Sequence, residues 1–124
     1  MQFANLVRIS RKLIDLPDSR TKHFSFILLR NKVVSLGYNL TWKTTPLSNR
    51  YNYRFSNLHS EVAAIRNFPY PIFFLPKFRM VNVRIMANGE IGLSKPCDIC
   101  QKLLKDFGVN ELYYSKHGGD FGEL

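Results

Sequence analysis

Two β-rich runs, 23–30 (HFSFILLR) and 33–40 (VVSLGYNL), are separated by only Asn31-Lys32. Over so short a gap the second run has one way to pair with the first, folding back as an antiparallel hairpin. Beyond the hairpin, helical and strand patterns alternate. Residues 58–67 (LHSEVAAIRN) carry helix formers with Leu58, Val62 and Ile65 on one side, and Ser56 or Asn57 stands where an N-cap belongs. Pro69, Pro71 and Pro76 stop that helix from continuing. Residues 80–86 (MVNVRIM) alternate as a strand does; Ala87-Asn88-Gly89-Glu90 is a turn, and Ile91-Gly92-Leu93 returns or extends the strand. Ser94-Lys95-Pro96 reads as a helix start, with Leu103, Leu104 and Phe107 as its apolar side and Gly108 as its stop. Residues 110–115 (NELYYS) form the last full strand, and Gly118-Gly119 leads into a tail that holds at most a stub of another. Ahead of the hairpin, Phe3, Leu6, Val7, Ile9, Leu13 and Ile14 recur at helical spacing until Pro17, Asp18 and Ser19. The order α-β-β-α-β-α-β predicts a three-layer α/β/α fold, with a mixed central sheet of about five strands and helices on both faces.

The chain has 124 residues, which predicts one domain, 1–124, and no second. Its apolar runs fall far short of the ~20 residues of a membrane span. The N-terminal stretch mixes Arg8, Arg11 and Lys12 with apolar residues and shows no small-residue cleavage site. The expectation is a cytoplasmic protein, in a host cytoplasm if viral, with no membrane partner. Two neighbouring cysteines cannot make a disulfide framework.

Charge is unevenly spread. The chain has 18 Lys and Arg against nine Asp and Glu, a formal charge of +9. Residues 1–85 hold 14 of the basic residues and only Asp15, Asp18 and Glu61 on the acidic side. In the 71 residues between Asp18 and Glu90, Glu61 is the only carboxylate. Such a surface attracts polyanions or nucleotide phosphates, although a merely basic soluble domain has the same composition.

His59-Ser60-Glu61 opens one helix, and Pro96-Cys97-Asp98-Ile99-Cys100 opens another. Cys97 and Cys100 are three apart, so on a helix they share a face. With His59 they offer one imidazole and two thiolates. Three protein ligands with an open fourth position make the catalytic form of a zinc site. Both ligand sets lie in the first turn of a helix, whose positive dipole end favours thiolates. A lone C-x-x-C also serves as a redox pair, and a lone histidine is most often structural. His23 and His117 lie outside any ligand spacing, so a four-ligand structural site lacks a partner. A carboxylate two residues from the histidine, with a proline directly before the cysteine pair, is the zinc deaminase pattern.

At these residues the chain resembles the cytidine deaminase-like superfamily. That group includes deoxycytidylate deaminases, tRNA adenosine deaminases and polynucleotide cytosine deaminases. The resemblance spans roughly residues 20–115, and includes the strand ending Gly37-Tyr38-Asn39. Lys95-Pro96-Cys97 to Gln101, Gly108-Val109-Asn110 and Tyr113-Tyr114-Ser115 look most like small deaminase-like proteins of phage and viral type. The resemblance implies a sheet ordered 2-1-3-4-5, with the two zinc helices side by side on one face. It implies that His59, Cys97 and Cys100 hold Zn2+ and that Glu61 carries a proton from water to the ring and helps ammonia depart. It implies that Asn39 contacts base or sugar, and that the backbone of Ser60 and of Pro96 holds the ring's carbonyl edge. The chain departs from the family pattern in Ser60 between the histidine and glutamate. It also has a longer interval from Glu61 to Cys97, and it ends soon after its last clear strand.

The loop before the His-Glu helix holds Trp42, Lys43, Arg50, Tyr51, Tyr53, Arg54 and Phe55. Aromatics interleaved with cations suit stacking on bases beside phosphates, and Trp42, Tyr51, Tyr53 and Arg54 are its candidate substrate contacts. The same aromatics would equally pack the loop onto the sheet. A charge of +9 exceeds what one free nucleotide needs. The favoured expectation is cytosine deamination in single-stranded DNA or RNA. The alternatives are free dCMP or CMP as a pyrimidine nucleotide substrate, adenosine in tRNA, and a non-catalytic zinc-containing nucleic-acid-binding module. The proline-broken run with Ile72, Phe73, Phe74 and Leu75 either packs on the zinc helix or makes a homo-oligomer surface.

Overall fold

The computed structural model describes residues 3–14, 22–40, 50–51, 58–69, 71 and 77–124. The elements run α1 (Phe3–Lys12), β1 (Lys22–Leu29), β2 (Lys32–Tyr38), α2 (Ser60–Asn67), β3 (Arg79–Ile85), β4 (Ile91–Gly92), α3 (Asp98–Asp106), β5 (Leu112–Ser115) and β6 (Phe121–Glu123). The sheet is ordered β2-β1-β3-β5-β6, with β4 pairing β3. Leaving out the two-residue β4, this is the order the resemblance implied.

β1 lies between β2 and β3, antiparallel to both, and its near-continuous apolar run fits a strand covered on both faces. Phe24, Phe26 and Leu28 join Val81, Val83 and Ile85 under α1, whose Leu6 is 3% exposed. Ser10, the other buried residue of α1, satisfies its hydroxyl by donating to the carbonyl of Leu6 at 2.9 Å. Phe3 stacks on Phe121 with ring centroids 4.2 Å apart, so the β6 tail anchors the start of α1. On the opposite face Ile27, Met80 and Leu112 meet Val62, Ala63 and Ala64 of α2 and Leu103 and Leu104 of α3. The hairpin connection is Arg30-Asn31, one residue earlier than Asn31-Lys32, with Leu29 opposite Lys32. Arg30 takes a left-handed backbone there, at φ 58°.

β3, α3 and β5 form a parallel crossover. Past the point where β5 leaves β3, β4 returns antiparallel, with Ile91 opposite Ile85 and Gly92 opposite Arg84. The lengthened interval between Glu61 and Cys97 therefore contains a small hairpin, turned at Gly89 with φ 85°.

Both helices of the second face start at the same end of the sheet. Gly37 sets α2 in place. A Cβ there would lie 2.1 Å from the backbone nitrogen of Ala64 and 2.5 Å from the carbonyl oxygen of Ser60, so only glycine lets the helix approach this closely. Ser35 Oγ donates to the carbonyl of Ala64 at 2.7 Å and Asn67 Nδ2 to that of Leu36 at 2.9 Å, tying the helix along β2.

Helix starts are shifted from the sequence expectation. α2 begins at Ser60, with His59 as N-cap and no side-chain capping bond, rather than at Ser56 or Asn57. The reason is the bridge between Leu40 and Leu58, whose amides bond each other's carbonyls at 3.0 and 2.7 Å and keep the chain extended up to His59. α3 begins at Asp98, capped by Cys97, not by Ser94. Trp42, Tyr53, Arg54 and the run 72–75 lie outside the described residues. No helix among the described residues is long and apolar enough to cross a membrane.

Candidate functional site

His59 and Cys97 are both N-caps, in extended backbone, of two helices packed on the same face of the sheet. Cys100 lies one turn into α3 and is fully buried, whereas Cys97 is exposed. Nδ1 of His59 lies 3.3 Å from Sγ of Cys100 and 3.9 Å from Sγ of Cys97. The three ligand atoms lie within 4.8 Å of one another. A tetrahedral ion with Zn–N of about 2.0 Å and Zn–S of about 2.3 Å separates its donors by roughly 3.5–3.8 Å. The donor set and its spacing therefore fit a metal ion, and the nitrogen–sulfur chemistry fits zinc.

The electrostatics favour thiolate at this end of α3. Sγ of Cys97 accepts from the amide of Cys100 at 3.4 Å. The Cys97 thiol is lowered to about 4, first by its hydrogen bond with Cys100 and then, against burial, by His59. Burial opposes charge on His59, but Cys97 and the Glu61 carboxylate outweigh it and hold its pKa above the usual value.

Glu61 is 6% exposed at the floor of the pocket. Burial pushes its pKa up. It ends a chain of buried hydrogen bonds that crosses three elements. Oε2 accepts from Asn82 Nδ2 of β3 at 3.1 Å. Oε1 lies 3.2 Å from Ser60 Oγ, which lies 2.8 Å from Ser25 Oγ of β1, which donates to Asn82 Oδ1 at 2.7 Å. Ser60 Oγ is the donor to Oε1, a bond that favours the charged carboxylate, whereas burial, the larger effect, favours the protonated form. Asn82 also donates to the carbonyl of Ser94, and Ser94 Oγ donates back to that of Asn82 at 2.9 Å. Ser115 N donates to Ser94 Oγ at 2.7 Å, so the segment leading to Cys97 is fastened to β5.

A cavity of about 240 Å³ opens over these groups; His59, Glu61 and Cys97 line it together with His23, Asn39 and Lys95. That volume suits one small ring system better than a large ligand. Asn39 lies in its wall; its Oδ1 accepts from the amide of His23 at 2.9 Å. Ser60 presents its first-turn amide, which has no intrahelical acceptor, while its hydroxyl turns inward. The carbonyl of Pro96 accepts from Gln101 Nε2 at 2.9 Å, and Pro96 itself is buried behind Lys95 and Cys97.

Tyr51 stands elsewhere. Its hydroxyl donates to Asp106 at 2.8 Å, at the end of α3 away from Cys97. A nine-residue helix is about 13 Å long, so this contact ties Tyr51 to the end of α3 opposite the pocket. Leu40 and Leu58, which flank this stretch of the sequence, both line the cavity.

His23 is not separable as a site residue by spacing, yet it forms one wall. Burial first, then Arg84 and His59, lower its pKa to about 4 from 6.5. Above about 6.5 both folded and unfolded states hold it neutral. As pH falls from there toward about 4, the unfolded chain gains a proton the folded chain refuses, and stability drops. His23→Gln should therefore remove roughly 2–3 kcal/mol of acid destabilisation between those limits, read as the difference in urea unfolding free energy between variant and wild type.

No protein-family model matches the chain, and no curated protein matches it in sequence. Its architecture is similar to that of the cytidine deaminase from Mycobacterium leprae, with a TM-score of 0.60 at 15% identity over 99% of this chain and 93% of that one. It is also similar to the dCMP deaminase of cyanophage S-TIM5 in complex with dCMP and dUMP, with a TM-score of 0.53 at 13% identity over 92% and 78% of the two chains. The apo form of that enzyme gives 0.52 at 15% identity over 92% and 85%. The chain has the cytidine deaminase-like fold.

Proposed function

We propose that this protein is a zinc-dependent hydrolytic deaminase that converts cytosine to uracil. The observation that carries the reading is the meeting of His59, Cys97 and Cys100 within 4.8 Å, beside a buried, proton-accepting Glu61, on the floor of a ring-sized cavity. The fold it shares with a cytidine deaminase and a dCMP deaminase supports the same chemistry.

Zinc held there supplies a Lewis acid that makes water nucleophilic near neutral pH. The Glu61 carboxylate takes a proton from the attacking water and delivers it to ring N3. Attack at C4 forms a C–O bond. Glu61 then takes the remaining proton from the new C4 hydroxyl and passes it to N4 as the C4–N4 bond breaks and the C4 carbonyl forms, so cytosine and water become uracil and ammonia. Asn82 and Ser60 hold the carboxylate in register through this cycle. Asn39 and the amide of Ser60 orient the ring from the side, and burial excludes bulk water from the proton path.

Cytosine in single-stranded DNA or RNA is the substrate that the net charge of +9 favours. Free dCMP or CMP is the second reading, supported by the phage dCMP deaminase among the structural neighbours. One mixed pool tests both: a single-stranded DNA oligonucleotide, the matching RNA, dCMP and CMP, with Glu61→Ala as the blank and products read by mass spectrometry. Uracil in an oligonucleotide supports the strand reading, and uracil in dCMP or CMP alone supports the nucleotide reading. No uracil in any component contradicts the proposed activity.

A further inference from the structure

Arg84 has unspent hydrogen-bonding capacity beside the cavity. It lies on β3 directly opposite His23, which lines the cavity. Its stem crosses Gly92, where an added Cβ would lie 3.2 Å from Arg84 Cδ. Its Nη1 reaches the carbonyl of Leu93 at only 3.4 Å, two residues before Lys95, another lining residue. Its Nε is buried with no acceptor among the described residues. The guanidinium lies near enough to His23 to help lower its pKa, which places positive charge beside a residue of the cavity wall. A guanidinium has five donors in a planar fork that matches phosphate oxygens.

We infer that Arg84, assisted by Lys95, is the phosphate-reading residue of this pocket, binding the phosphate of the nucleotide whose base enters the cavity. The inference rests on the deaminase reading for the identity of the base, but not for the phosphate. The shared ligand chemistry is a nucleotide phosphate, either a terminal monophosphate or a strand phosphodiester.

The test uses zinc-loaded full chain and compares wild type, Arg84→Gln, Arg84→Lys and Lys95→Gln. Binding of dUMP and of deoxyuridine is measured by calorimetry, which needs no turnover. Turnover is measured on deoxycytidine, dCMP and a single-stranded oligonucleotide without terminal phosphates. Arg84→Gln should weaken dUMP binding about 10- to 100-fold and leave deoxyuridine within about twofold. Arg84→Lys should recover part of the loss, and Lys95→Gln, at an exposed position, should give a smaller loss of the same selectivity. A loss on the oligonucleotide as well assigns the phosphodiester; a loss confined to dCMP and dUMP assigns the monophosphate. Equal losses for nucleoside and nucleotide, or no preference of wild type for dUMP over deoxyuridine, would overturn the inference. Selective dUMP binding without deamination of any substrate would sink the proposed activity and leave the phosphate site standing.

Discussion

Glu61→Gln should lower deamination at least about 10³-fold while metal content and melting temperature stay near wild type. Glutamine keeps the size of the side chain and its hydrogen bonds to Asn82 and Ser60, with the amide flipped to suit them. What it cannot do is take a proton from water, the role for which burial raises the pKa of the Glu61 carboxyl. Kinetics with parallel elemental analysis separate the outcomes. A variant that keeps metal and most of its activity would remove Glu61 from the chemistry, and one that loses metal would make it a structural support of the site.

The second large effect is on the metal. Cys97→Ser keeps a good N-cap, because a serine oxygen accepts from the amide of Cys100 as the sulfur does. It removes a soft ligand at an exposed position, so the core is undisturbed. Metal content should fall below about one-tenth of wild type. A metal bound at a thousandfold its dissociation constant adds about 4 kcal/mol to the native state, and that contribution should be lost. The melting temperature should drop by about 10–20 °C. After chelation, wild type and Cys97→Ser should melt together. A gap that persists without metal would assign the effect to the cap instead.

The elements with strong local signals were legible in the sequence. The hairpin, the alternation of 80–86 and the apolar sides of both site helices depend on spacing that is visible along the chain. The ends of those elements depend on contacts from elsewhere. Leu58 is held in a bridge by Leu40, so the helix cannot start at Ser56. Ser94 spends its hydroxyl on Asn82 and Ser115, so it cannot cap α3.

The site divides along the same line. His59, Cys97 and Cys100 stand in short motifs, and they meet once both helices start at one end of the sheet. Ser25, Asn82 and His23 have no motif. Asn82 carried a usable signal: a buried amide in the middle of MVNVRIM needs partners, and in such a sheet the carboxylate of the neighbouring helix is one of them. His23 had a weaker one, since it shares strand parity with Ser25 and Ile27 and so faces the site helices. Tyr51 belonged to an aromatic and basic loop that reads alike whether it stacks on bases or braces a helix. Only its hydrogen bond to Asp106 distinguishes the two.

In a hydrolytic deamination, water's oxygen replaces the amino nitrogen at C4. Running the reaction in heavy-oxygen water with zinc-loaded protein, and reading the product by mass spectrometry, measures that directly. The expected product is uracil that carries one heavy oxygen, formed with ammonia in equal amount and absent with Glu61→Ala. Uracil without the label, or labelled uracil that Glu61→Ala still forms at the wild-type rate, would contradict the mechanism.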